Sequence, residues 1–581
     1  MARLPERDPS VAPQMLTRRQ FLRGLSIGAT ASLGAAVLAA CGGAPAAAPT
    51  VAPAPTEPLA AIPTAAPPPT AAPAPTAVPE PAPAVSGTIV VLGHQEVAGL
   101  SPDDAGPTVQ WAVITQIHNA MLELDENYVL QPVLAESFTA SPDGLSYTFN
   151  LRQGVLFHDG VEFTAKDVKY TFDYYRDPAN AATIANNFRG IESIETPDDY
   201  TVQINMSEPN ASFISIGATT FIVPEHYHSD VGQDVYRTAP IGTGAYKLKE
   251  WRAAEFTELE AFDDHFRGRP LVDGYRLDVV PEASVRAIAL ETGEADTAVW
   301  PLLVEDNLRF AADPTFKTYR TATVSVNHFP LNNQAPVLSD KRVRQAMMYA
   351  IDRQRVIDDV FRGAAVLAHT NISPALEFWY NDNVKKYEYD PAQAATLLDE
   401  AGWTLGDDGV RVNAEGTRLS FTCTVITGDQ ARLPEAELVS QFLGEVGIEM
   451  LLAEQPISAI LDGLRQGTLE ASLFNWTYGG GNGEPDGSVT LRSDGGNNFN
   501  SFRNERVDEL LDMGLREVDP ARRQEIYNEI QEIVAEEVPF LIMMYWDWFN
   551  IFSPRITNLP ETALNGSTVY RLPFQWGIAD G

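Results

Sequence analysis

Cysteine is nearly absent. Two residues in 581 are too few for a disulfide framework or a cysteine-rich zinc site. Bases are scarce too: 41 Lys and Arg face 78 Asp and Glu, a formal net charge of −37. That balance argues against nucleic acid or an anionic membrane surface as the main partner, because both demand basic patches. The apolar stretch from Gly24 to Ala40 is short and rich in Ala and Gly, short of the roughly 20 strongly apolar residues of a membrane span. Catalytic signatures are missing as well. Neither G-x-x-x-x-G-K-S/T nor H-E-x-x-H occurs, and Gly479-Gly480-Gly481-Asn482-Gly483 lacks the Lys-Ser/Thr that a phosphate loop needs. That run reads as a flexible loop. His226-Tyr227-His228 offers two imidazoles without a third ligand nearby, so no metal site is nominated. No cofactor is implied and no catalytic residue stands out.

What is present begins with an address. Thr17-Arg18-Arg19-Gln20-Phe21-Leu22-Arg23 precedes the apolar stretch, which ends in Leu38-Ala39-Ala40-Cys41. The arrangement resembles a twin-arginine export signal joined to a bacterial lipoprotein box. By that resemblance residues 1–40 are removed, and Cys41 carries lipid that holds the protein at the outer face of the cell membrane. Gly24-Leu25-Ser26-Ile27-Gly28 fits a hydrolase motif but lies within the signal. Removing 1–40 takes away five bases and two acids and leaves −40. From Gly42 to Ser86 the chain is almost wholly Ala, Pro and Thr, with 14 of the 42 prolines. Such a segment favours extended polyproline II and reads as a spacer, 41–86 with the anchor.

The remaining 87–581 reads as folded, with hydrophobic residues at 44% of the whole chain. Thr88 to Leu92 is a compact strand candidate. Residues 145–163 alternate apolar and polar, which predicts an antiparallel pair, 145–151 against 155–157, turning at Gly154. Thr164 is placed to cap a helix carrying Val168, Phe172 and Tyr175 on one side. Val343, Ala346, Met347, Ala350 and Ile351 follow the spacing of a core-facing helix. Asp390-Pro391 and Asp519-Pro520 each set a cap and a first-turn proline before an apolar series. Cys423 sits in a β-branched run and reads as a buried strand residue. The fold class is α/β with interleaved antiparallel sheet.

Several segments resemble the extracytoplasmic solute-binding proteins of ABC importers, family 5, which includes oligopeptide, dipeptide and nickel binders. They are Leu151 to Gly160 continuing to Val168, Gly242-Thr243-Gly244-Ala245-Tyr246, Val343 to Arg353, Asp390 to Trp403, and Arg523 with Tyr527 and Glu536-Glu537-Val538-Pro539. The resemblance implies a two-lobed fold of the periplasmic-binding-protein type II, with an extra sub-domain inserted in lobe I. Lobe I then comprises 87–332 plus 545–581, the sub-domain 123–225, and lobe II 333–539. Two strands cross between the lobes, near Val324-Ser325-Val326-Asn327 and Phe540-Leu541-Ile542-Met543. Gly242 and Gly244 are expected to give backbone freedom in a tight turn.

The implied function is capture of peptides between the lobes and delivery to membrane permease subunits, by a monomer that is not an enzyme. Oligosaccharide or metal-chelate binding by the same fold stays open, and so, from another class, does a tethered hydrolase. By the resemblance Asp429 receives the peptide amine, although a turn residue after a strand explains it equally. Trp476, Tyr478 and Asp486 line the cleft, and lobe II core is the competing placement for the two aromatics. The acidic surplus either steers cationic ligands or keeps the surface soluble.

Overall fold

The computed structural model describes residues 85–579 except 105–107, 126–127, 300–301, 428, 430–431, 479–482, 562–568 and 571–572. The signal, Cys41 and nearly all of the spacer lie outside the described residues. The described residues lie within the compact unit Pro79–Gly581.

Strand β1 (Val85–Gly93) starts two residues before the expected boundary, because Val85 already pairs with Val272. It packs Ile89 and Val91 into a core shared with helix α1 (Thr108–Ile117). The chain then leaves to build a separate layer from β2 (Ala135–Ala140), β3 (Ser146–Leu151), α2 (Ala165–Arg176), β4 (Ile191–Asp198) and β5 (Thr201–Met206). The sheet order is β2-β3-β5-β4. Its core of Phe149, Phe157, Phe172, Tyr175 and Ile204 is distinct from that of β1. Thr164 caps α2, and its backbone N–H donates to Asp167 at 2.9 Å, the reciprocal half of a capping box.

One pairing expectation is corrected. Tyr147, Phe149 and Leu151 alternate inward as foreseen, but β3 pairs with β2 and β5 rather than with 155–157. Residues 154–162 instead fold on themselves: Gly154 and Gly160 adopt positive φ, and the Phe157 N–H donates to the Val161 carbonyl at 2.8 Å. Val155 and Phe157 thereby enter the core without a ladder partner.

The chain returns through β6 (Tyr246–Arg252), β7 (Phe256–Ala261), β8 (Val272–Val279) and β9 (Thr297–Ala298). Gly242 and Gly244 precede β6 without positive φ, contrary to expectation. A Cβ on Gly242 would stand 2.0 Å from the Ile117 carbonyl oxygen, and one on Gly244 would stand 2.2 Å from that of Gln116. These glycines are needed because the turn lies directly on the C-terminus of α1, where no side chain fits.

The long strand β10 (Lys317–Pro330) then carries the chain into the second lobe. There α3 (Lys341–Ala350), a short strand β11 (Ala365–Leu367) and α4 (Pro391–Glu400) precede β12 (Ser420–Ile426), α5 (Arg432–Glu445) and β13 (Glu449–Gln455). Asp390 accepts the N–H groups of Ala392 and Gln393, so the cap and the proline start α4 where the sequence placed them. Strand β12 lies between β13 and β14 (Ala471–Ser472), all parallel, and Cys423 is buried in it, its thiol pKa pushed up by desolvation. Strand β15 (Phe474–Trp476), α6 (Glu505–Arg516) and α7 (Pro520–Glu537) lead into β16 (Phe540–Phe552), which runs back.

Strands β10 and β16 are antiparallel and sit inside one sheet, ordered β15-β10-β16-β9-β1-β8-β7-β6. Their ladder joins Lys317–Ala322 to Asp547–Phe552 at the first lobe and Val326–Pro330 to Phe540–Tyr545 at the second. Between the two blocks Thr323, Val324 and Ser325 have no partner on β16, and Trp546 pairs instead with Ala365. After β16 the chain rejoins the first lobe, where Tyr570 and Trp576 fill its core.

Candidate functional site

The ladder is interrupted twice, by the three-residue break at Thr323–Ser325 and by a register shift between Asn327 and His328, and such interruptions locally disrupt a strand pair. Around the break the second lobe gathers polar groups. Asp429, at the end of β12, accepts the Arg432 backbone N–H at 3.0 Å and pairs with the Arg432 guanidinium. That guanidinium also donates to Asn475 at 2.7 Å and lies 4.7 Å from the centre of the Trp546 ring. One turn along α5, Glu435 is fully buried, and Asn327 of β10 donates to both its oxygens at 2.8 and 2.7 Å. Desolvation pushes the Glu435 carboxyl up to about 8, against the opposing pull of Asn327 and Arg432.

The nominated residues fall into different settings. Asp429 and Trp476 are half-buried near the break. Trp476 pairs with Val326 and meets Phe499 edge to face at 4.9 Å. Tyr478 is 1% exposed, stacked on Phe540 at 4.3 Å, and its hydroxyl meets His328 Nε2 at 2.8 Å. Its surroundings are those of the second lobe's core, one of the two placements the sequence left open. Asp486 accepts from the Ser488 N–H at 3.1 Å and hydroxyl at 2.6 Å, closing a turn, with its pKa raised by burial. The glycine run, apart from Gly483, lies outside the described residues. His226 bonds Asp159 at 2.7 Å, while His228 bonds Tyr170 and Gln233. Among the described residues no cluster of three metal-ligating side chains occurs.

The sequence missed the arrangement two residues before Asp486. Glu484 is 1% exposed and forms a buried ion pair with Arg523 of α7. Burial penalises the Arg523 charge, but Glu484, with Tyr527 and Asp486 adding to it, more than offsets this and raises its pKa. The pair reaches across to the inserted layer, where the Ser215 hydroxyl donates to Glu484 at 2.5 Å and Arg523 donates to Ser212 at 2.9 Å. Beside it the Ala211 N–H donates to the Leu515 carbonyl at 2.8 Å. No local pattern announces such a link, because Ser215 and Glu484 are 269 positions apart.

This bridge borders a cavity of about 930 Å³ walled by the inserted layer on one side and the second lobe on the other. Tyr128, Phe138 and Ile214 line it from the inserted layer, and Phe378, Trp379 and Gly483 from the second lobe. Its volume falls within the range of small-ligand sites. Two lobes joined by paired crossing strands, with a ligand-sized cavity walled by both sides, define a hinged binding protein.

Comparison with known proteins places the chain more closely. Residues 129–500 match the model of the bacterial extracellular solute-binding proteins, family 5. The glutathione-binding protein GsiB of Shigella flexneri is 28% identical over 498 residues, covering 82% of this chain and 93% of that protein. The oligopeptide-binding protein AppA of Bacillus subtilis, solved with a nonapeptide, superposes with a TM-score of 0.71 at 25% identity, covering 86% of this chain and 100% of AppA. NikZ of Campylobacter jejuni, solved with Ni(L-His), gives 0.72 at 26%, covering 84% and 99%. The chain belongs to the family 5 bacterial extracellular solute-binding proteins. It is a binding protein rather than an enzyme.

Proposed function

We propose that this protein is the substrate-binding component of an ABC importer and captures peptides between its lobes for delivery to the membrane permease. The observation that carries the reading is the cavity walled by both lobes, in a family whose relatives include proteins named for glutathione and for oligopeptides. A ligand that touches both walls binds the closed form better than the open one and shifts the population towards it. Asp429 and Trp476 stand near the break and outside the lining of this cavity; they complete the proposed site, with Asp429 the anchor for the ligand's amine. Export through the twin-arginine signal and lipid on Cys41 hold the protein as a monomer at the outer face of the membrane. Support for this is the run Arg18-Arg19 through Cys41. Serine at Cys41 should release the protein from the membrane fraction.

The test is thermal stability against a panel of peptides, oligosaccharides and nickel chelates, since only a true ligand stabilises the native state in proportion to its affinity. Peptides should raise the melting temperature. If no peptide does while an oligosaccharide or a nickel–histidine chelate does, the peptide reading falls. The chelate has a specific claim to inclusion through the similarity to NikZ. Within the peptide reading, Asp429→Ala should weaken a peptide with a free amine far more than its acetylated form. Equal losses remove the anchor role.

A further inference from the structure

The chemistry of the cavity wall narrows the ligand. Its lining is dominated by Leu124, Tyr128, Phe138, Ile214, Phe378 and Trp379. The charged groups within it are already matched: Glu484 and Arg523 neutralise each other, and the Arg523 guanidinium lies 5.5 Å from the centre of the Trp379 ring. The Tyr147 hydroxyl, also on the wall, donates to the Asn210 carbonyl at 2.9 Å. Glu377 is the remaining carboxylate, and it is exposed. A charged ligand group placed here would lose its hydration and find no free counter-charge beyond that residue. An apolar group meets the opposite situation. Phe378 is 48% exposed beside the cavity, and covering such surface is favourable in proportion to the area removed from water.

We infer that this cavity is a side-chain subsite that selects peptides bearing a large apolar or aromatic residue over those with a small or charged one. The inference rests on the peptide reading and assigns that reading a specificity. Because the wall is split between the inserted layer and the second lobe, the preferred side chain also contacts both and favours closure.

The experiment is calorimetric titration of the full chain with short all-alanine peptides in which one internal position is Ala, Leu, Phe, Glu or Lys. Phe and Leu should bind about tenfold to a hundredfold more tightly than Ala, the gain expected from burying one such side chain. Glu and Lys should bind more weakly than Ala. Ala140 is exposed on β2 and lines the cavity. Ala140→Trp fills the space from a position outside the core and should bring the Phe-to-Ala ratio close to one. Phe378→Ala enlarges the cavity instead of blocking it, and it should lower the same ratio. Circular dichroism confirms that each variant is folded.

Equal affinity across the series in the wild-type chain overturns the subsite and leaves peptide capture standing. So does a Phe preference that survives both variants. If no peptide binds, the peptide reading fails and the subsite falls with it.

Discussion

Replacing Glu435 by Gln should make the protein more stable at neutral and alkaline pH while leaving it nearly unchanged in mild acid. Glu435 is fully buried between α5 and β10, with a pKa of about 8 against an ordinary 4.5. Between those values the folded protein keeps a proton that the unfolded chain releases. Folding stability from this group therefore falls as pH rises through the window. The whole window corresponds to about 5 kcal/mol, of which about 3 kcal/mol has gone by pH 7. Glutamine keeps the shape and cannot ionise. It also has an acceptor waiting, because Asn327 Oδ1 is buried without a hydrogen-bond partner and an amide flip would present it to the new Nε2. Urea titrations at pH 5, 7 and 9 provide the assay. The two proteins should unfold together at pH 5, with the variant ahead by about 3 kcal/mol at pH 7 and about 5 kcal/mol at pH 9. Parallel pH profiles across the range would refute the reasoning, since they would mean that Glu435 ionises in the fold as freely as in the unfolded chain.

Further substitutions test other parts of the structure. Arg523→Ala leaves Glu484 buried without its cation and should cost about 3–5 kcal/mol. Replacing both residues by Met should cost far less, as read from chemical denaturation. Gly242→Ala drives a methyl into the Ile117 carbonyl and should lose at least about 1–3 kcal/mol. Gly444→Ala, in α5 with open space around it, should instead gain about 0.5–1 kcal/mol. Comparing the melting temperatures of the two alanine variants tests the cause directly.

Local features were legible and distant ones were not. Asp390, Asp519 and Thr164 start helices where the sequence placed them, because a cap satisfies backbone groups within one turn and needs nothing remote. The alternation of Tyr147, Phe149 and Leu151 gave the inward face of β3, but not its partners, because a period of two states orientation and says nothing of who lies alongside. Gly242 and Gly244 were visible as a motif with the wrong cause, since the obstructing helix end is more than 120 residues earlier. The site shows the same division. Arg523 stands in a motif and Glu484 only two residues from the nominated Asp486, yet their pairing with each other and with Ser212 and Ser215 is a property of the folded chain alone. Tyr478 sits in a motif with Trp476, but only the structure sets it against Phe540 and His328.

The break opposite Trp546 also gives the molecule an optical gauge. Arg432, from the second lobe, lies over that indole, and the strand carrying it continues into the first lobe. Opening or closing that flexes the chain at Thr323–Ser325 alters the charge and water around the ring, and with them the colour and intensity of its emission. Phenylalanine at Trp546 identifies which part of the signal from the nine tryptophans belongs to it. Domain closure can then be followed in real time on unlabelled protein.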